Sequence, residues 1–343
     1  MLEGDIMAKK RKTSSKSKPL TKKQIKTLKK LPLPILIFLV LIVGVFLIWQ
    51  FYLKDNLFTK KPVTYSASQN EEGFYYYENS KSGEYYFNAN DKEKENLVNA
   101  LNSILKNGFT PTSYAEAKTA LEKADAKLDD PSKVWNIYDG VDAPAVWDST
   151  SWHREHVWPN ARLGMPRVTE SGRNQGSDLH NLRAITPRVN SSRGDRVFTN
   201  GSGSNHTNDD GGYYPGDDHK GDVARIIFYM YVMYPDILTL TDDLELLNDT
   251  THHYKPEGAR MGQLSMLLKW HKEDPVDAFE RRRNEEIYKA QGNRNPFIDK
   301  PAFAHLIWEN KSASDLIEPT PTENEPTTYL SHLYTFHYVL LIS

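Results

Sequence analysis

Apolar side chains return every three to four residues in five stretches of this chain, the spacing that lines one face of an α-helix. Over 92–107 they are Leu97, Ala100, Leu101 and Leu105, and over 114–128 Ala117, Leu121, Ala124 and Leu128. A more uniformly apolar helix is predicted over 222–234 from Val223, Ile226, Ile227, Met230 and Val232, and two more over 261–272 and 278–291. Strands are few and short, near 134–138, 152–157 and 182–186, and no internal repeat is evident. This pattern predicts an α+β fold, a mostly helical domain over 84–310.

Outside those limits the pattern changes. Residues 54–83 are polar and without period, and read as a stalk. Residues 311–329 carry Pro319, Pro321 and Pro326 among Glu and Thr, a composition that buries too little to fold, and 330–343 is too short to span a bilayer, so 311–343 is a tail. Residues 31–53 hold no charge, and 35–49 are apolar apart from Gly44. At about 1.5 Å per residue such a run can cross a ~30 Å hydrocarbon core. Residues 1–30 carry eleven Lys or Arg against Glu3 and Asp5, a net of +9, which leaves −11 for the remainder of a chain whose total is −2. A basic flank before an apolar run stays inside the cell. The expectation is therefore a basic cytoplasmic tail over 1–30, a single-pass transmembrane signal anchor over 31–53, and the remainder outside the cell. A cleaved secretory signal is the other reading, and it too exports the domain.

The basic run is assigned to topology and to contact with anionic lipid. With no cysteine there can be no disulfide, no thiolate catalysis and no Cys-ligated zinc.

The chemistry lies in the middle of the chain. Arg154-Glu155-His156-Val157-Trp158-Pro159 is followed by Asp178-Leu179-His180-Asn181-Leu182 and by Val189-Asn190-Ser191-Ser192-Arg193-Gly194. Cutting a phosphodiester requires a water, a neutral imidazole to take its proton, and a cation to hold the phosphate and the leaving oxygen. Magnesium needs only one or two protein oxygens because it keeps several waters; Glu155 and Asn190 can supply them, and His156 is the candidate base. Neighbours in a strand face opposite ways, so Glu155 and His156 must lie at a strand end or bulge before Pro159. Pro187 suits the first turn of a helix, which would put Asn190 and Arg193 one turn apart on one face.

Strand, loop, strand and helix in that order resemble the ββα-metal, or His-Me finger, nuclease site. More closely, the motifs above, with Lys220-Gly221-Asp222-Val223-Ala224-Arg225 and the segment Gly292-Asn293-Arg294-Asn295-Pro296-Phe297-Ile298-Asp299, resemble the bacterial endonuclease I family over 84–310. The resemblance implies a general base at His156, a single magnesium held by Glu155 and Asn190, an arginine that steadies the cleaved phosphate at Arg173, and products ending in 5′ phosphate. Manganese or calcium could replace magnesium in binding. The chain departs from some relatives in carrying Gly176 where they have glutamate, and in lacking cysteine.

Eight arginines and no lysine lie between Ser151 and Phe198, against four acids. Guanidinium forks match phosphate oxygens, so Arg154, Arg193 and Arg196 are expected to face the nucleic acid. Asp178 and Asn181 are expected to fasten the second strand and its loop, His180 to be a packing residue, and His153 a partly exposed strand residue. The function expected is metal-dependent endonucleolytic hydrolysis of DNA, and RNA too, without sequence preference. A surface nucleic-acid-binding module that has lost catalysis remains the alternative. A zinc peptidase drops out because no His-Glu-x-x-His occurs.

Overall fold

The computed structural model describes residues 61–65 and 67–319, with residues 32, 34–35 and 41–44 besides. The chain divides into two units, 1–61 and 62–343. Of the first, residues 34–35 and 41–44 are helical. The basic tail and most of 31–53 lie outside the described residues. Among those described, no helix is long and apolar enough to cross a membrane, which overturns the single-pass placement and the membrane contact expected from 31–53.

In the second unit the order is α1 (Lys94–Lys106), α2 (Ala117–Ala124), β1 (Lys133–Trp135), β2 (Asp142–Pro144), β3 (His153–His156), β4 (Leu182–Ile185), α3 (Pro187–Arg193), β5 (His206–Thr207) and β6 (Tyr213–Tyr214), followed by α4 (Lys220–Met233), β7 (Thr239–Leu240), α5 (Leu244–Asn248), β8 (Arg260–Met261), α6 (Leu264–Glu273), α7 (Ala278–Gln291), α8 (Pro296–Asp299) and α9 (Phe303–Trp308). This is an α+β fold in which, among the described residues, four two-stranded sheets are set among helices.

Helix α4 is buried on nearly every side, as its unbroken apolar sequence requires, and packs against α1 and α6 in the larger core cluster. A smaller cluster joins Ala117, Leu121 and Ala124 of α2 to Val134, Trp152, Leu182, Ala184 and Ile287. Helix α2 is shorter than the periodicity predicted: Leu128 is exposed, and the chain leaves the helix at Asp125. There the buried carboxylate accepts the Ala184 amide at 2.6 Å and the Arg283 guanidinium at 2.7 Å. Two buried hydrogen bonds to a charge outweigh the few tenths of a kcal/mol that another turn of helix offers.

The stalk expected over 54–83 is corrected over its described part. Tyr75 is fully buried, its amide donates to His305 Nε2 at 3.1 Å and its hydroxyl to the His271 carbonyl at 3.2 Å, while Tyr77 donates its amide to the Leu316 carbonyl. Aromatic side chains on irregular backbone carry this packing, so no period revealed it. Leu316, in the segment expected to be a tail, is likewise buried; 320–343 lies outside the described residues.

A candidate nuclease site on a ββα element

Strands β3 and β4 pair antiparallel with Glu155 opposite Arg183 and His156 opposite Leu182, and Pro187 opens α3 at its first turn. His156 is the last residue of β3, so the backbone is free to turn immediately after it. Both side chains consequently line one cleft of about 710 Å³, together with His153, Arg154, Asn190 and Arg193. That volume falls within the roughly 300–1,000 Å³ usual for ligand sites.

Behind the cleft, β4 is fastened by a ladder of buried charges. Arg183 lies 3.3 Å from Asp125 and 3.1 Å from Asp222, and Arg225 is paired with Glu280 at 2.6 Å. Asp178 is buried and accepts from Tyr229 and Tyr234 hydroxyls, Gln291 Nε2 and the His180 amide, at 2.9 to 3.0 Å. Asn181 grips both backbone groups of Trp158, accepting at 2.7 Å and donating at 3.0 Å. These two residues hold the loop before β4 and the exit of β3. His180 is buried against Tyr229 with Nε2 on the Asn293 carbonyl, away from the cleft lining.

His156 donates from Nε2 to the Gly176 carbonyl at 2.7 Å. A carbonyl can only accept, so the proton resides on Nε2 and the lone pair on Nδ1. Burial pushes the imidazole down to about 4, with Arg154, Arg167 and Arg193 acting in the same sense against the Gly176 carbonyl, so it is neutral at physiological pH. The carbonyl is placed by a short turn in which Asn174 Oδ1 accepts the Gly176 amide at 2.9 Å. A Cβ at Gly176 would come 2.8 Å from that of Val168, so a larger residue would not fit here without a shift.

Glu155 is 2% exposed. Its Oε1 accepts from the Tyr138 hydroxyl at 2.9 Å and lies 3.4 Å from Arg193 Nε. Burial raises its pKa, opposed by Arg193, Tyr138 and the His156 amide. The orientation of Asn190 follows from His153: its Nε2 donates to the Ser149 carbonyl at 3.2 Å, so Nδ1 must accept, and the partner at 3.2 Å is Asn190 Nδ2. The amide oxygen of Asn190 is thereby left as an acceptor. Among the described residues no group of three or more His, Cys, Asp or Glu could hold a metal. One carboxylate and one carboxamide oxygen are nonetheless the hard donors that a partly hydrated divalent ion takes.

The arginines divide differently from expectation. Arg193 is corrected as a phosphate contact: its side chain is 1% exposed, and its guanidinium donates to the carbonyls of His156, Val157 and Gly194. Arg154 lies over the Tyr114 ring and pairs with Glu170 at 2.7 Å, and Arg196 donates to the Ser192 and Arg193 carbonyls at the end of α3. Arg173 is exposed, bonds Glu116 and the Pro111 carbonyl, and is not among the residues lining the cleft. Sequence reasoning missed three lining or supporting groups: the exposed Arg167, the buried Tyr138, and the pair His253 and Tyr254 from a distant loop. No motif marks any of them.

The endonuclease I family model matches residues 93–302. The chain belongs to the endonuclease I family. It is 41% identical over 234 residues to an extracellular ribonuclease of Bacillus amyloliquefaciens and 39% identical to one of Bacillus subtilis (strain 168), in each case across 65% of this chain and 78% of the relative. As an endonuclease I, a His-Me finger type, it is a hydrolytic nuclease, and the loss of catalysis kept open above is set aside.

Proposed function

We propose that this endonuclease I is a divalent-metal-dependent, sequence-nonspecific enzyme that hydrolyses RNA and DNA outside the cell, with His156 as general base. The observation that carries the reading is the bond from His156 Nε2 to the Gly176 carbonyl, which leaves a neutral Nδ1 lone pair in a cleft shared with Glu155 and Asn190. A water held there loses its proton to Nδ1 as its oxygen attacks phosphorus, and the 3′ oxygen departs to leave a 5′ phosphate. Because the nucleophile is water and not the 2′ hydroxyl, both sugars are accepted. The relatives' names support RNA and an extracellular setting.

The donor set fits a hard cation. Glu155 is a buried carboxylate, and the Asn190 amide is turned by His153 so that its oxygen remains an acceptor. These two would hold magnesium, or manganese or calcium in its place, and the ion when bound supplies charge stabilisation at the phosphate and the leaving oxygen. Arg193 holds Glu155 before substrate arrives, which limits reorganisation during the reaction. The few protein ligands and readable phosphate geometry impose no sequence preference.

The test incubates the protein with plasmid, single-stranded DNA and RNA, in magnesium and in excess EDTA, beside His156→Ala. Cleavage of all three, stopped by EDTA and lowered about 10²-fold or more by His156→Ala with unchanged melting, is expected. Near-normal activity of that variant removes His156 from the mechanism. Persistent cleavage in EDTA removes the metal, and attack on RNA alone removes the water route to DNA.

A further inference from the structure

Besides the imidazoles of His153, His156 and His253, three aromatic rings line the cleft, Tyr114, Trp147 and Tyr254. Two are already occupied. Tyr114 carries the Arg154 guanidinium on its face at 3.4 Å and has the His156 ring 5.3 Å away. Trp147 is covered by Lys118 Nζ at 4.3 Å and meets Trp152 edge-on. Tyr254 differs: it is 37% exposed, and among the described residues no hydrogen bond, ion pair or ring contact involves its side chain.

Its backbone, by contrast, is tightly placed. The Tyr254 amide donates to the Ala161 carbonyl at 2.7 Å, tying the loop to the segment just beyond Pro159. Its φ of 61° is left-handed, a conformation that a bulky residue keeps only when its surroundings impose it. The preceding His253 holds Asp195 Oδ2 with Nδ1 at 3.0 Å, which ties the loop to the chain just beyond α3. A flat apolar ring on a fixed backbone, facing a polar cleft that cuts nucleic acid, has the properties of a base-stacking platform.

We infer that Tyr254 stacks on an unpaired nucleobase of a single-stranded segment bound in the cleft. The inference rests on the reading of the cleft as the nucleic-acid site. It goes beyond that reading by naming the conformation of the substrate: bases within a duplex already stack on one another and leave no face for the ring. Stacking is indifferent to base identity because every base has a π-face, so the platform selects single strands without selecting sequence.

The test measures binding by fluorescence anisotropy in the full chain carrying His156→Ala, with magnesium present. Three labelled probes of equal phosphate count are used: a single-stranded DNA, the same backbone with abasic sites, and a hairpin duplex. Adding Tyr254→Ala should weaken the single strand roughly tenfold or more and leave the abasic strand and the duplex unchanged. Tyr254→Phe and Tyr254→Trp should restore binding, since the ring and not the hydroxyl is used. Equal loss on base-bearing and abasic strands, equal loss on the duplex, or no loss at all overturns the platform. A gel of the recovered probes reports separately whether His156→Ala has stopped cleavage, so failure of the mechanism and failure of the platform are told apart.

Discussion

On the β3–α3 wall of the cleft, Glu155 and Arg193 are buried against each other and the His156 ring is bonded to a carbonyl, whereas on the loop around 253–254 the Tyr254 ring stands exposed, with no ring or charge upon it among the described residues. The difference follows from what each wall must do. Groups that hold charge and move a proton must be oriented before substrate arrives, because a dipole that reorients during the reaction costs barrier height. A ring that receives a base gains its energy from the surface that the base covers, so it must be open beforehand. Burial therefore marks the chemical wall and exposure the recognition wall.

The largest effect expected from breaking this contrast is at Arg193. Arg193→Ala leaves Glu155 buried without its counter-charge and three carbonyls without a donor, and should destabilise the fold by about 3–5 kcal/mol. A lowered denaturant midpoint at unchanged slope is the measurement. Wild-type stability with a flattened salt dependence of binding would instead return Arg193 to the phosphate.

Arg167 sharpens the comparison from the other side. It is exposed in the cleft, and among the described residues its side chain makes no hydrogen bond or ion pair. Arg167→Ala should leave melting unchanged, weaken unrelated single strands about equally, and reduce the slope of log K against log salt by about one contact. An unchanged slope would mean that no phosphate reaches it.

The smallest effect is at Arg173, outside the cleft lining. Glu116 is lowered to about 2 by the Ser113 amide and then by Arg173. A carboxylate held below its usual range adds stability that is present above about pH 4.3 and is lost as pH falls toward 2. In Arg173→Ala the Glu116 titration, followed by NMR, should move up while cleavage at neutral pH changes little. A loss of about 10²-fold would instead place Arg173 at the phosphate after all.

The ββα element was legible in the sequence because its parts are consecutive. Pro187 announces a helix start, and Glu155 and His156 just before Pro159 required a strand end, which is where β3 stops. Helices α1, α4 and α7 were legible from periodicity. The packed segment before residue 83 was not, since Tyr75 is buried by contacts with His271 and His305, some two hundred residues away. Arginine content was legible as charge, but burial was not: Arg162, Arg183 and Arg193 are inside, and their side chains hold strands and loops together.

By itself the sequence determined the order of the ββα element and the family, because both depend on residue type and short spacing, and it offered Glu155, His156 and Asn190 as candidates for the chemistry. Tertiary structure alone decided which nitrogen of His156 holds the proton, since the Gly176 carbonyl that settles it lies twenty residues on. It alone decided that Tyr138 and Arg193 share Glu155, and that a loop nearly a hundred residues beyond β3 brings Tyr254 to the cleft. Such partners meet only once the chain has closed on itself, and neither periodicity nor local spacing records a contact made across that distance.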